Sequence, residues 1–149
     1  RLMKKQNQYF YAQDNVAAAI GHLIAADDKN LQAGELLDYW LDYLPLKRDK
    51  TEAREQHLKL VRWFNLDNVL FSPGNPVGLH RLSKILKIFA EVYHTKRLSD
   101  EEVKSGIRLH IASLQKHPLV HKHSDDIWGG LAEEDRARLL EIQMSSLTI

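Results

Sequence analysis

The sequence predicts an all-α fold, an α-solenoid of about three stacked antiparallel helix hairpins. Three observations predict it. Apolar residues recur with a period near 3.6 along most of the chain, with no clear two-residue alternation. Glycine and proline gather at a few places only: Pro45, the "SPGNPVG" run from Ser72 to Gly78, Pro118, and Gly129–Gly130. Between those breaks, helices with broad and narrow apolar faces take turns at a regular spacing.

The elements follow in order, with boundaries good to a few residues. The first dozen residues hold the end of a preceding helix. Asp14 is placed to cap the next helix, 14–26, through its carboxylate. A helix over 32–44 stops at Pro45, which lacks an N–H and clashes with the preceding turn. Helices over 50–65 and 77–95 flank the glycine- and proline-rich run. Ser99 followed by Glu102 forms a capping-box pattern at the start of helix 100–116, and Asp100, Glu101 and Glu102 favour that N-terminus electrostatically. A short helix is expected over 124–130 and a last one over 132–145. The hairpins are then approximately 1–26, 32–65, 77–116 and 124–145, within a single domain.

Winding the helices at about 100° per residue separates two kinds. On 32–44, Leu36, Leu37, Tyr39, Trp40, Leu41, Tyr43 and Leu44 fill an arc of roughly 200°, leaving Glu35, Asp38 and Asp42 opposite. On 77–95, Leu79, Leu82, Ile85, Leu86, Ile88, Phe89, Val92 and Tyr93 span roughly 180°. One neighbour requires a stripe of only about 100°, so both helices are expected to be buried on two sides. Helix 50–65 is narrower, with Ala53, His57, Leu60, Val61 and Phe64, as is 100–116, with Val103, Ile107, Ile111 and Leu114. A period in the forties with two helices per unit is the mark of a HEAT-type solenoid, in which each hairpin packs on the next.

Composition bounds the function. The chain has 149 residues and a formal net charge of +1. Basic and acidic side chains number seven and seven in residues 1–50, eight and five in 51–100, and six and eight in 101–149. No segment is the basic stripe of a nucleic-acid binder driven by bulk charge. There is no cysteine, which excludes disulfides, thiolate metal sites and a cysteine nucleophile. No run approaches the roughly 18 apolar residues of a membrane span. The chain starts at Arg1 rather than Met, which reads as a fragment of a longer protein.

Catalytic patterns are lacking. No G-x-S-x-G elbow is present, and "SPGNPVG" lacks the Lys-Ser/Thr ending of a phosphate loop, so it reads as a turn between repeats. The acidic pairs Asp27–Asp28, Asp125–Asp126 and Glu133–Glu134 are sequence neighbours, which face different ways on a helix. His117, His121 and His123 fall in an unpatterned loop without the spacing of a zinc site. The expectation is therefore no enzyme, no cofactor and no metal. The candidate functional surface is the polar side of the narrow helices: Glu52, Glu55, Lys59 and Arg62 on one, Glu101, Arg108 and Lys116 on the other. Solenoid curvature would line these along a concave groove able to clasp an extended basic or mixed peptide through charge-assisted hydrogen bonds. Trp63 flanks that face. An exposed indole there would mark a binding hot spot, although burial is favoured.

The order of three blocks carries a resemblance. "DNVAAAIGHLI", then "LLDYWLDYLPLKRDKTEA", then "GNPVGLHRLSKILKIFAEV" resemble the C-terminal HEAT repeats of karyopherin-β (importin-β superfamily) nuclear transport receptors, nearest the importin-β3 branch. The final "EEDRARLLEI" is similar to the last helix of such proteins, and the match covers roughly residues 12–145. The "HPLVHKHSDDIWGG" segment departs from the pattern. The resemblance implies a superhelical receptor of the cytoplasm, nucleus and nuclear pore that binds cargo proteins, nucleoporin Phe-Gly repeats and the GTPase Ran. It places the Ran site mainly in N-terminal repeats outside this sequence. A Phe-Gly repeat would need a small apolar pocket between the outer helices 32–44 and 77–95. The alternative is a HEAT scaffold unrelated to transport, of the phosphatase or translation-complex type. A solenoid end would also leave the Tyr9–Tyr11 region apolar and prone to self-association.

Overall fold

From Leu2 to Ile20 the chain has neither glycine nor proline, and nothing in it interrupts a helix. The computed structural model describes residues 2–26 and 33–147. Among these the chain is all-α, with eight α-helices and no strand. α1 runs unbroken over Leu2–Ala26, so residues 1–26 do not form the expected hairpin. Asp14 is not its cap. It lies mid-helix, buried, and its Oδ2 accepts from the backbone N–H of Arg48 (3.2 Å) and Asp49 (2.9 Å). The carboxylate thus satisfies amides at the start of another helix.

α2 covers Ala33–Tyr43 and α3 Lys50–Trp63. Asp49 caps α3 by accepting from the Glu52 amide at 3.0 Å. α4 covers Pro76–His94. Its start explains the "SPGNPVG" run: Asn75 Oδ1 accepts from the Gly78 amide at 2.7 Å, and Pro76 opens the helix where no N–H is needed. A Cβ on Gly78 would lie 2.0 Å from the Ser72 carbonyl oxygen, so only glycine fits beneath that turn. A 3-10 turn at Lys96–Leu98 leads to α5, Glu101–Lys116. The α5 cap is Asp100, accepting from Val103, rather than Ser99. The shift by one residue occurs because Asp100 aligns with the amide three residues on. The expected loop at His117–His123 holds a short helix, α6 (Pro118–Lys122), followed by α7 (Ser124–Gly129) and α8 (Glu133–Leu147).

α1 packs on α2 and α3, α3 lies beside α5, and α8 rests against both α4 and α5. Between α2 and α3, Trp40 Nε1 donates to Gln56 Oε1 at 3.0 Å, and the Trp40 and Trp63 rings lie 5.1 Å apart. The broad face predicted for α4 is present, with Leu82, Ile85, Leu86, Ile88, Phe89 and Val92 all buried. The face predicted for α2 is narrower than expected. Tyr39 is 56% exposed, while Leu37, Trp40, Leu41 and Leu44 are buried. α3 is broader than expected, burying Gln56 and Leu58 as well as Ala53, His57, Leu60 and Val61. The reason is position: α3 is held between α1 and α5, so it needs two faces. Both junctions are close. A Cβ on Gly21 of α1 would meet Gln56 Oε1 at 2.3 Å, and one on Gly106 of α5 would meet Val61 Cγ1 at 2.2 Å.

Two buried polar side chains tie the layers together. Arg81 forks onto Asp38, with Nε at 2.6 Å and Nη2 at 2.9 Å, and donates to the carbonyls of Leu70 and Gly34. That pairing joins α2 to α4 and uses the planar donor geometry that only arginine provides. His57 accepts from the Leu46 amide through Nε2 at 3.1 Å and donates from Nδ1 to the Leu98 carbonyl at 2.8 Å. Its two bonds link the turn after α2 to the 3-10 turn. Burial holds the ring neutral, pushing its pKa down to about 4.

Candidate functional site

The helices α3 and α5 run side by side, as the sequence reading required, but their charged seam is built mostly from other residues. Arg54 pairs with Asp100 and, at 2.8 Å, with Glu102, and Arg62 reaches Glu102 at 3.2 Å. The Asp100 carboxyl is held below its ordinary range chiefly by the Val103 amide, and burial is outweighed. The Arg54 guanidinium is pushed up by its hydrogen bond to Asp100. Of the predicted set, only Arg62 takes part in this seam. Arg54 and Glu102 are not in the predicted binding set, although each adjoins a member of it, Glu55 and Glu101.

The remaining candidates do not converge. Glu52 accepts from Gln56 Nε2 at 2.7 Å and thereby orients the amide that holds Trp40. Glu55 is exposed and Lys59 half-buried. Glu101 and Arg108 pair with each other, and Arg108 also donates to the Tyr93 hydroxyl at 3.1 Å. Lys104 and Arg108 stand over the Tyr93 ring at 5.5 and 5.9 Å, an attraction between cation and ring face. The Tyr93 hydrogen bond, with the Glu101 bond next, raises the Arg108 pKa. These residues therefore lean toward α4, away from α3. Lys116 is exposed in the last turn of α5. Trp63 is half-buried on Trp40 and is not a free indole.

Of His117, His121 and His123, the first two are tied to backbone or side chains. His117 Nδ1 accepts from the Leu119 amide at 3.3 Å and its Nε2 lies 3.3 Å from Asp67, while His121 bonds to the Gln115 carbonyl. No group of three metal-ligating side chains is present among the described residues. The pair Asp27–Asp28 lies outside the described residues. His110, unremarked in the sequence, donates from Nε2 to the Val61 carbonyl at 2.6 Å and stacks on Phe89 at 5.9 Å. Burial lowers its pKa.

Three recesses are relevant to partners. The one between α2 and α4, where a Phe-Gly repeat would need an apolar pocket, has a volume of about 440 Å³ and is rimmed by Asp42, Lys47, Lys84, Lys87 and Glu91. Lys84–Asp42 and Lys47–Glu91 ion pairs cross it, so its mouth is polar. An apolar cleft of about 260 Å³ lies instead between α5 and α8, lined by Ile111, Leu114, Trp128, Leu139 and Leu140. A third, of about 320 Å³, is bounded by Lys50, Arg54, Lys96, Arg97, Ser99 and Asp100. No helix among the described residues is long and apolar enough to cross a membrane. No protein-family model matches the chain, and neither a curated protein nor a solved structure matches it.

Proposed function

We propose that the chain is the C-terminal part of an importin-β-like nuclear transport receptor, a non-enzymatic scaffold that binds cargo for nuclear import. The observation that carries this reading is the order of the sequence blocks. "DNVAAAIGHLI" falls within α1, "LLDYWLDYLPLKRDKTEA" spans α2, the proline turn and the start of α3, and "GNPVGLHRLSKILKIFAEV" forms α4 and its cap. The packing series α1–α3–α5, with α2–α4–α8 beside it, supports stacked hairpins of HEAT type, about three repeats long. In such an array the mechanism is binding through curvature.

On this reading the exposed sides of α3 and α5, with Glu55, Arg62 and Lys116, meet cargo. The α5–α8 cleft, with Trp128 and Leu140 at its walls, has the size and apolarity for a phenylalanine side chain of a Phe-Gly repeat. The outer side of α1 offers a self-association surface. Tyr11, Val16 and Leu23 are 50%, 43% and 56% exposed, while the Tyr9 side chain lies outside the described residues. The receptor would work in cytoplasm and nucleus and at the nuclear pore, with Ran bound by repeats outside this sequence. Affinity capture with the complete receptor tests the reading. Ran-GTP and Phe-Gly repeats are expected among the bound proteins, and recovery of neither overturns it.

A further inference from the structure

The charge seam of α3 and α5 ends in an imbalance. Lys50 and Arg54 come from the first turns of α3, Lys96 and Arg97 from the 3-10 turn, and all four border the same recess with Ser99 and Asp100. Arg54 is neutralised by Asp100 and Glu102. Lys50, Lys96 and Arg97 are exposed and have no carboxylate partner among the described residues. Lys59, Lys87, Lys104, Lys116, Lys122 and Arg136 also have no ion pair among the described residues, but the α2–α4 recess and the α5–α8 cleft are each bordered by only one of them. Lys47, Lys84, Arg62, Arg81, Arg108 and Arg138 each face an acid. In a chain of net charge +1, three unneutralised cations around one recess form a local positive focus.

We infer that this recess, at the joined starts of α3 and α5, is a docking site for an acidic segment of a partner protein, rich in aspartate and glutamate. The charge pattern selects this occupant. A recess of about 320 Å³ accommodates one or two carboxylate side chains, not a length of duplex. A nucleic-acid backbone needs cations repeated along a track, and here Asp100, Glu101 and Glu102 interrupt any track along α5. Those same acids confine a peptide carboxylate to the Lys50, Lys96 and Arg97 side. Arg54, held in place by its own ion pairs, lends a fixed guanidinium edge at lower conformational cost than a free side chain. The inference rests on charge and packing alone and stands independently of the transport reading.

Fluorescence anisotropy with a labelled hexaglutamate peptide tests it, using the whole chain and variants Lys50→Glu, Lys96→Glu/Arg97→Glu, and Lys122→Glu as a distant control. Circular dichroism melting verifies that each variant is folded. Exposed ion pairs are individually weak, up to about 1 kcal/mol. Reversing Lys96 and Arg97 together is therefore expected to weaken binding by roughly tenfold or more, with Lys50→Glu showing a smaller loss. Lys122→Glu leaves binding unchanged. Raising salt from about 50 to about 200 mM weakens the wild type and hardly affects the double variant. Absence of peptide binding overturns the inference, as does an equal loss in Lys122→Glu. It is overturned equally if a single-stranded oligonucleotide binds more tightly than the peptide and is lost with the same variants, which would make the patch a phosphate-backbone site.

Discussion

Replacing His57 with glutamine separates two contributions to stability. At neutral pH the ring connects the Leu46 amide with the Leu98 carbonyl across the core. Glutamine retains an acceptor near Nε2 but loses the Nδ1 donor, leaving the Leu98 carbonyl without this partner. A buried unsatisfied group costs about 1–3 kcal/mol, and the lost ring packing adds to that. The second contribution depends on pH. Burial lowers the folded-state pKa to about 4, against 6.5 in the unfolded chain; the Leu98 bond opposes the shift without cancelling it. Between those values the unfolded chain holds a proton that the folded chain does not. Stability is therefore full above pH 6.5 and is lost as pH falls toward 4. One pKa unit is about 1.4 kcal/mol, giving about 3 kcal/mol in all, of which about 2 is lost by about pH 5. Urea unfolding at about pH 7 and about pH 5 measures both contributions. His57→Gln is expected to be less stable at neutral pH and to lose about 2 kcal/mol less than wild type on acidification. His110, also lowered by burial, titrates in both proteins and cancels in the difference. Equal acid losses in the two proteins would refute the buried neutral ring.

Three further outcomes are expected. Arg81→Lys cannot fork onto Asp38 while reaching both the Leu70 and Gly34 carbonyls, so it should lose about 2 kcal/mol in urea unfolding; a change below about 0.5 kcal/mol would show that the network is dispensable. Gly106→Ala gains helix propensity but meets Val61 at 2.2 Å, and should destabilise by about 1–3 kcal/mol. Adding Val61→Ala should restore part of that loss, and additivity of the two changes would rule out the contact. Val16→Glu with Leu23→Glu should shift the chain toward monomer by light scattering at high concentration, whereas a wild type that is already a clean monomer would remove the proposed α1 surface.

Periodicity was legible in the residues themselves, whereas both cap readings, Asp14 and Ser99, missed. α4 shows the point: its apolar spacing set the buried face, a local effect acting within a few residues, while the Asn75 cap and the Pro76 start became visible only in the structure. Pro45 likewise ended α2 by sterics that need no partner. α1 was misread because Asp14 has the chemistry of a cap, yet its carboxylate serves amides 34 and 35 residues away, and sequence spacing carries no record of such a partner. The same holds for the proposed groove. Winding α3 and α5 leaves Glu55, Arg62 and Lys116 on exposed positions, but does not give the rotation that turns Glu101 and Arg108 to Tyr93 and leaves Arg54 and Arg62 to meet Glu102.

What the sequence determined by itself is an all-helical chain with its breaks and the greasy side of most helices, because turn chemistry and burial period are properties of neighbouring residues. Only the tertiary structure decided that α3 is buried on two sides, that Arg81 and His57 stitch separate layers, and that Lys50, Lys96 and Arg97 share one recess. Those outcomes depend on which helices lie side by side, and charges some forty-six residues apart become neighbours only when packing brings their backbones together.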